Sequence, residues 1–152
     1  MDTKTVTDMN DTDFNALVSR LDAIPVGATP EQAANALFPN DKEGQREYLE
    51  QALDLQEVSE KSGPKETTVV AALPAVLAAL VPVIIRCVVG GLGKAGINEI
   101  RTLVRHGRWA TAEERVHAFV RGCIGSVVPI FARPLARRFS RYIAKLVLRA
   151  IL

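Results

Sequence analysis

Between Glu66 and Arg86 the chain runs TTVVAALPAVLAALVPVII, 19 residues without a charge. That is close to the length that crosses a bilayer as a helix. Pro74 and Pro82 interrupt the run, and each removes a backbone donor and hinders helix at the residue before it. A kinked or two-part helix is therefore expected rather than a straight span. A soluble bundle of this size has no need of such a run, so the segment points toward a membrane or an apolar partner.

The charges divide at the same place. Residues 1–66 hold 6 Lys/Arg against 14 Asp/Glu, a net of −8, and residues 67–152 hold 13 against 3, a net of +10. The total of +2 is two opposite charges cancelling, and 11 of the 13 cations in the second part are Arg. Asymmetry of this kind bears on function.

Local signals give helices throughout. Residues 1–11 are polar and acidic without periodicity, which predicts disorder. From Thr12, the residues Phe14, Leu17, Val18, Leu21 and Ile24 share one helix face, ended by Pro25 and Gly27. Thr29, Pro30, Glu31 and Gln32 write a capped helix start, and that helix stops at Pro39. Asn40 with Glu43 predicts a further capping box, opening a helix to about Lys61 before the Ser62, Gly63, Pro64 breaker. Cys87–Gly96 is glycine-rich and reads as a hinge. Beyond it, Ile97, Ile100, Leu103 and Val104 form one face, with Lys94, Arg101, Arg105 and Arg108 on another. Thr111 with Glu114 predicts the cap of the next helix, whose core would be Val116, Phe119, Val120, Cys123 and Ile124. The last helix follows Pro134, with Leu135, Phe139, Tyr142, Ile143, Leu146 and Ala150 inward and Arg137, Arg138, Arg141, Lys145 and Arg149 outward. No strand-period alternation is long enough to build a sheet.

Catalysis finds little support. The second part offers only Glu99, Glu113 and Glu114 as acids, and the glycines lack the flanking strand and Lys-Ser/Thr of a phosphate loop. His106 and His117 lie eleven positions apart and no Cys/His cluster has zinc spacing, so no metal and no cofactor are expected. Cys87 and Cys123 could form one bridge, but two thiols make no disulfide framework, and the reading favours buried free thiols. Thirteen cations would attract any polyanion, yet no recognisable nucleic-acid motif surrounds the few aromatics, and nucleic acid is set aside. Cationic polar faces backed by large apolar faces are what membrane-inserting helices use. Trp109, beside Arg108 at a helix corner, suits a headgroup region or the cover of a small core.

An acidic N-terminal segment followed by a cationic, apolar, multi-helix segment resembles the precursors of helical bacteriocins and saposin-like pore-forming peptides. The likeness lies in TTVVAALPAVLAALVPVII, the Gly90–Gly96 hinge and the apolar terminus KLVLRAIL, which is similar to circular bacteriocins whose ends join within a hydrophobic helix. The six-cysteine spacing of saposins is missing. What the resemblance implies is an all-α protein: a compact helical bundle over residues 67–152 preceded by a small acidic helical segment within 1–66. The second part would permeabilise membranes while the first masks it. Arg101, Arg105, Arg108, Trp109, Arg137, Arg138, Arg141, Lys145 and Arg149 are the expected binders of anionic lipid, and residues 69–89 with 139–152 the inserting surface. Secretion by a dedicated or non-classical route from a cytoplasmic precursor, an exporter, a processing protease and a self-oligomer fit the same expectation. The alternative from another class is a non-enzymatic helical interaction protein or small membrane-anchored adaptor.

Overall fold

The computed structural model describes residues 6–25, 28–50 and 68–152, with residue 30 and residues 68–79 described by their backbone alone. Every regular element among the described residues is helical. The expected end of the third helix near Lys61 and the Ser62–Pro64 breaker lie outside the described residues.

The chain enters with α1 (Asp11–Asp22), where the Asn10 side chain accepts from the Asp13 N–H at 2.8 Å and satisfies one orphan donor of the first turn. Next, α2 (Pro30–Leu37) has the capping box its sequence spells: Gln32 N–H donates to Thr29 Oγ1 at 3.2 Å and Thr29 N–H to Gln32 Oε1 at 2.9 Å. The cap of α3 (42–50 within the described residues) sits one position later than expected. Gly44 N–H donates to Asp41 Oδ1 at 2.9 Å, while Asn40 takes a left-handed φ of 65°, a conformation Asn tolerates.

The long helix α4 (Thr68–Arg105) continues through Pro74 and Pro82, against the expectation that the prolines divide it. Proline's fixed φ is compatible with helix and each ring removes a single hydrogen bond, which a long packed helix tolerates. The turn comes instead at Gly93, with φ 66° and ψ −179°, a region open essentially to glycine alone. The glycine-rich hinge expected over Cys87–Gly96 is thus one residue, which divides α4 into two arms. Leu80–Arg105 is long and apolar enough to cross a membrane by length and composition. It nevertheless places Val81, Ile84, Ile85, Val88, Val89, Ile97, Ile100 and Val104 in the protein core.

Three further helices follow α4. The first, α5 (Trp109–Val127), begins ahead of the expected Thr111 cap and has no side-chain cap; Glu114 pairs elsewhere. A 3-10 turn over Ile130–Ala132 leads into α6 (Arg133–Arg138), and a break at Phe139 separates it from α7 (Ser140–Ile151), where the sequence predicts one uninterrupted helix. The four helices α1, α2, α5 and α7 all pack on α4, and α7 also packs on α5. One hydrophobic cluster runs through them, from Leu17, Leu21, Leu37 and Tyr48 to Ile84, Ile100, Ile124, Ile143 and Ile151. Full burial of each large aliphatic residue contributes about 1.5–3 kcal/mol, so acidic and basic portions alike are held by a shared core.

Two core assignments change. Phe119 and Tyr142, expected inward, are 38% and 39% exposed, whereas Leu135 is half-buried and packs against the core as expected. The inner positions of α7 include Ala144, Val147 and Leu148, because this helix is packed on more than one side.

Cys87 and Cys123 form a disulfide between α4 and α5, with their Cα atoms 6.0 Å apart, in place of the free thiols expected from their apolar settings. The apolar positions that bury Cys123 and half-bury Cys87 also bring the two helix faces together.

Candidate functional site

Residues 6–10, expected to be disordered, lie along the second arm of α4. Their composition offers no reason for order, but α4 presents partners for their backbone. Asn98 Nδ2 donates to the Met9 carbonyl at 3.0 Å, and its Oδ1 accepts from the Met9 N–H at 2.6 Å. Arg101 donates through Nε to the Thr7 carbonyl and through Nη1 to the carbonyls of Ile151 and Leu152, at 3.0 and 2.8 Å. Arg105 reaches the Val6 carbonyl at 3.3 Å and Asp8 at 3.1 Å, and Val6 itself is buried. Burial lowers the pKa of the Arg101 guanidinium; Asp13 opposes the shift, Arg105 adds to it and Asp8 opposes it. Two of the expected lipid-binding cations thus hold the protein's own N-terminal segment.

Four ion pairs among the described residues join acids of the first 66 residues to cations of the rest: Asp22 with Arg86 at 3.4 Å, Asp11 with Lys94 at 2.6 Å, Asp8 with Arg105, and Glu47 with Arg149. The last is the least exposed. Arg149 Nε lies 2.9 Å from Glu47 Oε2, close enough for an ion pair though without the geometry of a hydrogen bond, and the guanidinium stands over the Phe38 ring.

The remaining expected lipid binders do not form one stripe. Trp109, Lys145 and Arg149 converge on a cleft of about 280 Å³, completed by Glu47, Glu113, Leu148 and Leu152. A second cleft of about 240 Å³ shares Arg149 and Leu152 with the first and includes Arg101 and Arg20. Arg141 is held by Glu114 at 2.8 Å; that hydrogen bond and the opposite charge lower the carboxyl pKa and raise that of the guanidinium. Lys145 also stands over the Tyr142 ring and Arg138 over the Phe139 ring, and Arg108 and Arg137 are exposed.

No family model matches this chain, and no curated protein or solved structure matches it. The geometry therefore stands alone.

Where their side chains are described, most apolar residues of the expected inserting surfaces are enclosed, and residues 69–79 lie outside that description. Val81, Ile84, Ile85, Val88 and Val89 on α4 and Phe139, Ile143, Leu146, Val147 and Ile151 on α7 form the core rather than an outer face, while Tyr142 faces out. Two apolar residues that the sequence reading passed over are instead on the outside, Ile130 at 77% and Phe131 at 64% exposure. The available signal was their place between Pro129 and Pro134, where a short helical turn cannot bury both faces.

The closest approach to a nucleophile with a base is also a pair that sequence reading missed. His117 Nε2 and Ser140 Oγ share a hydrogen bond of 2.7 Å between α5 and α7, and His117 Nδ1 has no partner. Both residues are buried, and no third group orients the imidazole, so the contact serves as a helix-to-helix hydrogen bond. Burial, then Arg141 and Arg121, lower the His117 pKa; Glu114 and Glu113 oppose them. No group of three His, Cys, Asp or Glu placed to hold a metal ion occurs among the described residues.

Proposed function

We propose that this chain is a membrane-active helical protein of bacteriocin-like plan, in which residues 1–66 hold the cationic, apolar remainder in a closed form. The observation that carries the reading is the set of four ion pairs by which Asp8, Asp11, Asp22 and Glu47 occupy Arg105, Lys94, Arg86 and Arg149. Anionic lipid would compete for the same cations, and release of the acidic segment would expose both charge and core apolar surface. The Cys87–Cys123 bridge supports export to oxidising surroundings. A processing protease would act between the two portions, near the Ser62–Gly63–Pro64 breaker.

The test uses the full chain with the acids neutralised, D8N/D11N/D22N/E47Q. Surface pairs contribute about 0.2–1 kcal/mol each, so the four together shift opening by about 1–4 kcal/mol. Dye release from vesicles of equal parts phosphatidylglycerol and phosphatidylcholine should rise at least several-fold over the wild type. Absence of leakage from both proteins would refute the proposal.

A second reading, a helical interaction protein, is favoured by the enclosure in the core of the apolar faces of α7 and of α4 from Val81 onward. Leakage separates the two, since an interaction protein has no reason to release dye whether or not its acids are neutralised.

A further inference from the structure

We infer that the closed protein docks on anionic bilayers through the turn at Ile130–Ala132, before any opening of the bundle. The inference rests on the membrane-active reading and adds the site of first contact.

Ile130 and Phe131 project from the 3-10 turn at 77% and 64% exposure, the two most exposed large apolar side chains among the described residues. The turn is firmly mounted. Ala132, which follows them, is fully buried, as is Ala136 in the next helix. Arg133 Nε donates to the Val128 carbonyl at 2.9 Å, tying the start of α6 to the end of α5. Two large apolar side chains on a fixed, projecting turn make an interfacial wedge, since they can enter the acyl boundary while the supporting backbone stays paired.

Charge selects the occupant. Residues 115–152 contain eight Lys/Arg and no Asp or Glu, and three of those cations, Arg133, Arg137 and Arg138, follow the wedge within eight positions. Nothing in this part of the chain would repel an anionic surface. Each Lys/Arg near a negative leaflet strengthens binding about fivefold. A wedge of two side chains is small for a stable protein interface, which needs roughly 1,000 Å² or more, but sufficient for lipid, where charge supplies the remainder.

The experiment measures binding, apart from leakage. Full-length wild type, I130S/F131S and the single-tryptophan variant W109F/F131W are titrated with vesicles of equal parts phosphatidylglycerol and phosphatidylcholine. The first double variant should keep its helical circular dichroism, since both residues are exposed, and bind at least tenfold more weakly. The indole emission of W109F/F131W should shift to the blue and be quenched by brominated acyl chains. Equal binding by I130S/F131S, or unquenched emission from vesicle-bound W109F/F131W, overturns the docking site. A wild-type dimer that becomes monomeric in I130S/F131S overturns it too, by assigning the turn to a second copy. Failure of the full chain to bind any vesicle overturns closed-form docking, while leakage by the acid-neutralised variant then still upholds the membrane-active reading.

Discussion

Reduction of the Cys87–Cys123 bridge should lower the stability of this protein by about 4 kcal/mol. The bridge closes a loop spanning 36 residues, and chain-entropy arguments assign to a loop of that size an entropy of about 13 cal/mol/K, or roughly 3.8 kcal/mol at 25 °C. The folded state itself changes little, because Cys123 is 6% exposed and the two thiols stay between the same packed helices. The effect therefore falls on the unfolded chain. Urea unfolding followed by circular dichroism, with and without a thiol reductant and with intact mass confirming the gain of two hydrogens, measures it directly. For an m-value of about 2 kcal/mol/M the midpoint should fall by about 2 M. The double variant C87A/C123A should follow the reduced protein, with a small further loss from its missing sulfur atoms. A decrease below about 1 kcal/mol would refute the reasoning, because it would mean that the unfolded chain gains no freedom when the loop opens.

Gly93→Ala should destabilise by about 1–3 kcal/mol in thermal unfolding, since the backbone there is at φ 66° and ψ −179°. Gly90→Ala, in helical backbone with open space around the added methyl, should be neutral or stabilise by up to about 1 kcal/mol. For His117 the folded pKa lies below the unfolded value of about 6.5, so the unfolded state binds more protons as the pH falls. Stability is unaffected above that value and decreases below it until the folded pKa is reached; Tm of the wild type should therefore fall more than that of H117Q between about pH 7 and pH 5. Finally, R137E/K145E reverses two exposed cations while keeping the residues of the Arg141–Glu114 and Arg149–Glu47 pairs. At low salt it should weaken binding to anionic vesicles by about a hundredfold or more while helical circular dichroism persists.

Features encoded within a few residues were legible in the sequence. The Thr29–Pro30–Gln32 start is one, because all its donors and acceptors lie within a single helical turn. The faces of α4 beyond Gly93 are another, with Ile97, Ile100 and Val104 buried as their spacing requires. Where two neighbours satisfy the same local rule, tertiary packing decides: Asp41 rather than Asn40 caps α3. Choosing Gly93 among Gly90, Gly91, Gly93 and Gly96 likewise requires knowing the direction each arm of α4 must take. Gly91 has its own constraint, since an added Cβ would stand 3.1 Å from the Phe119 ring. Of the candidate site, the cationic residues were visible but their partners were not. Asn98 and Arg101 meet residues 89 and 94 positions away, and the disulfide spans 36. No periodicity carries such information.

The turn at Gly93 separates two restraints of different chemistry. One arm of α4 is tied to α5 by the covalent bond at Cys87, and the other gathers Lys94, Asn98, Arg101 and Arg105 around residues 6–11 through polar contacts. Thiols act on the first without touching charge, and salt acts on the second without touching sulfur. A two-input latch of this kind has four distinguishable states. An oxidised protein in high salt would loosen its N-terminal segment around an intact α4–α5 pair, and a reduced protein in low salt would keep that segment seated with α4 and α5 still packed but held by their apolar contacts alone.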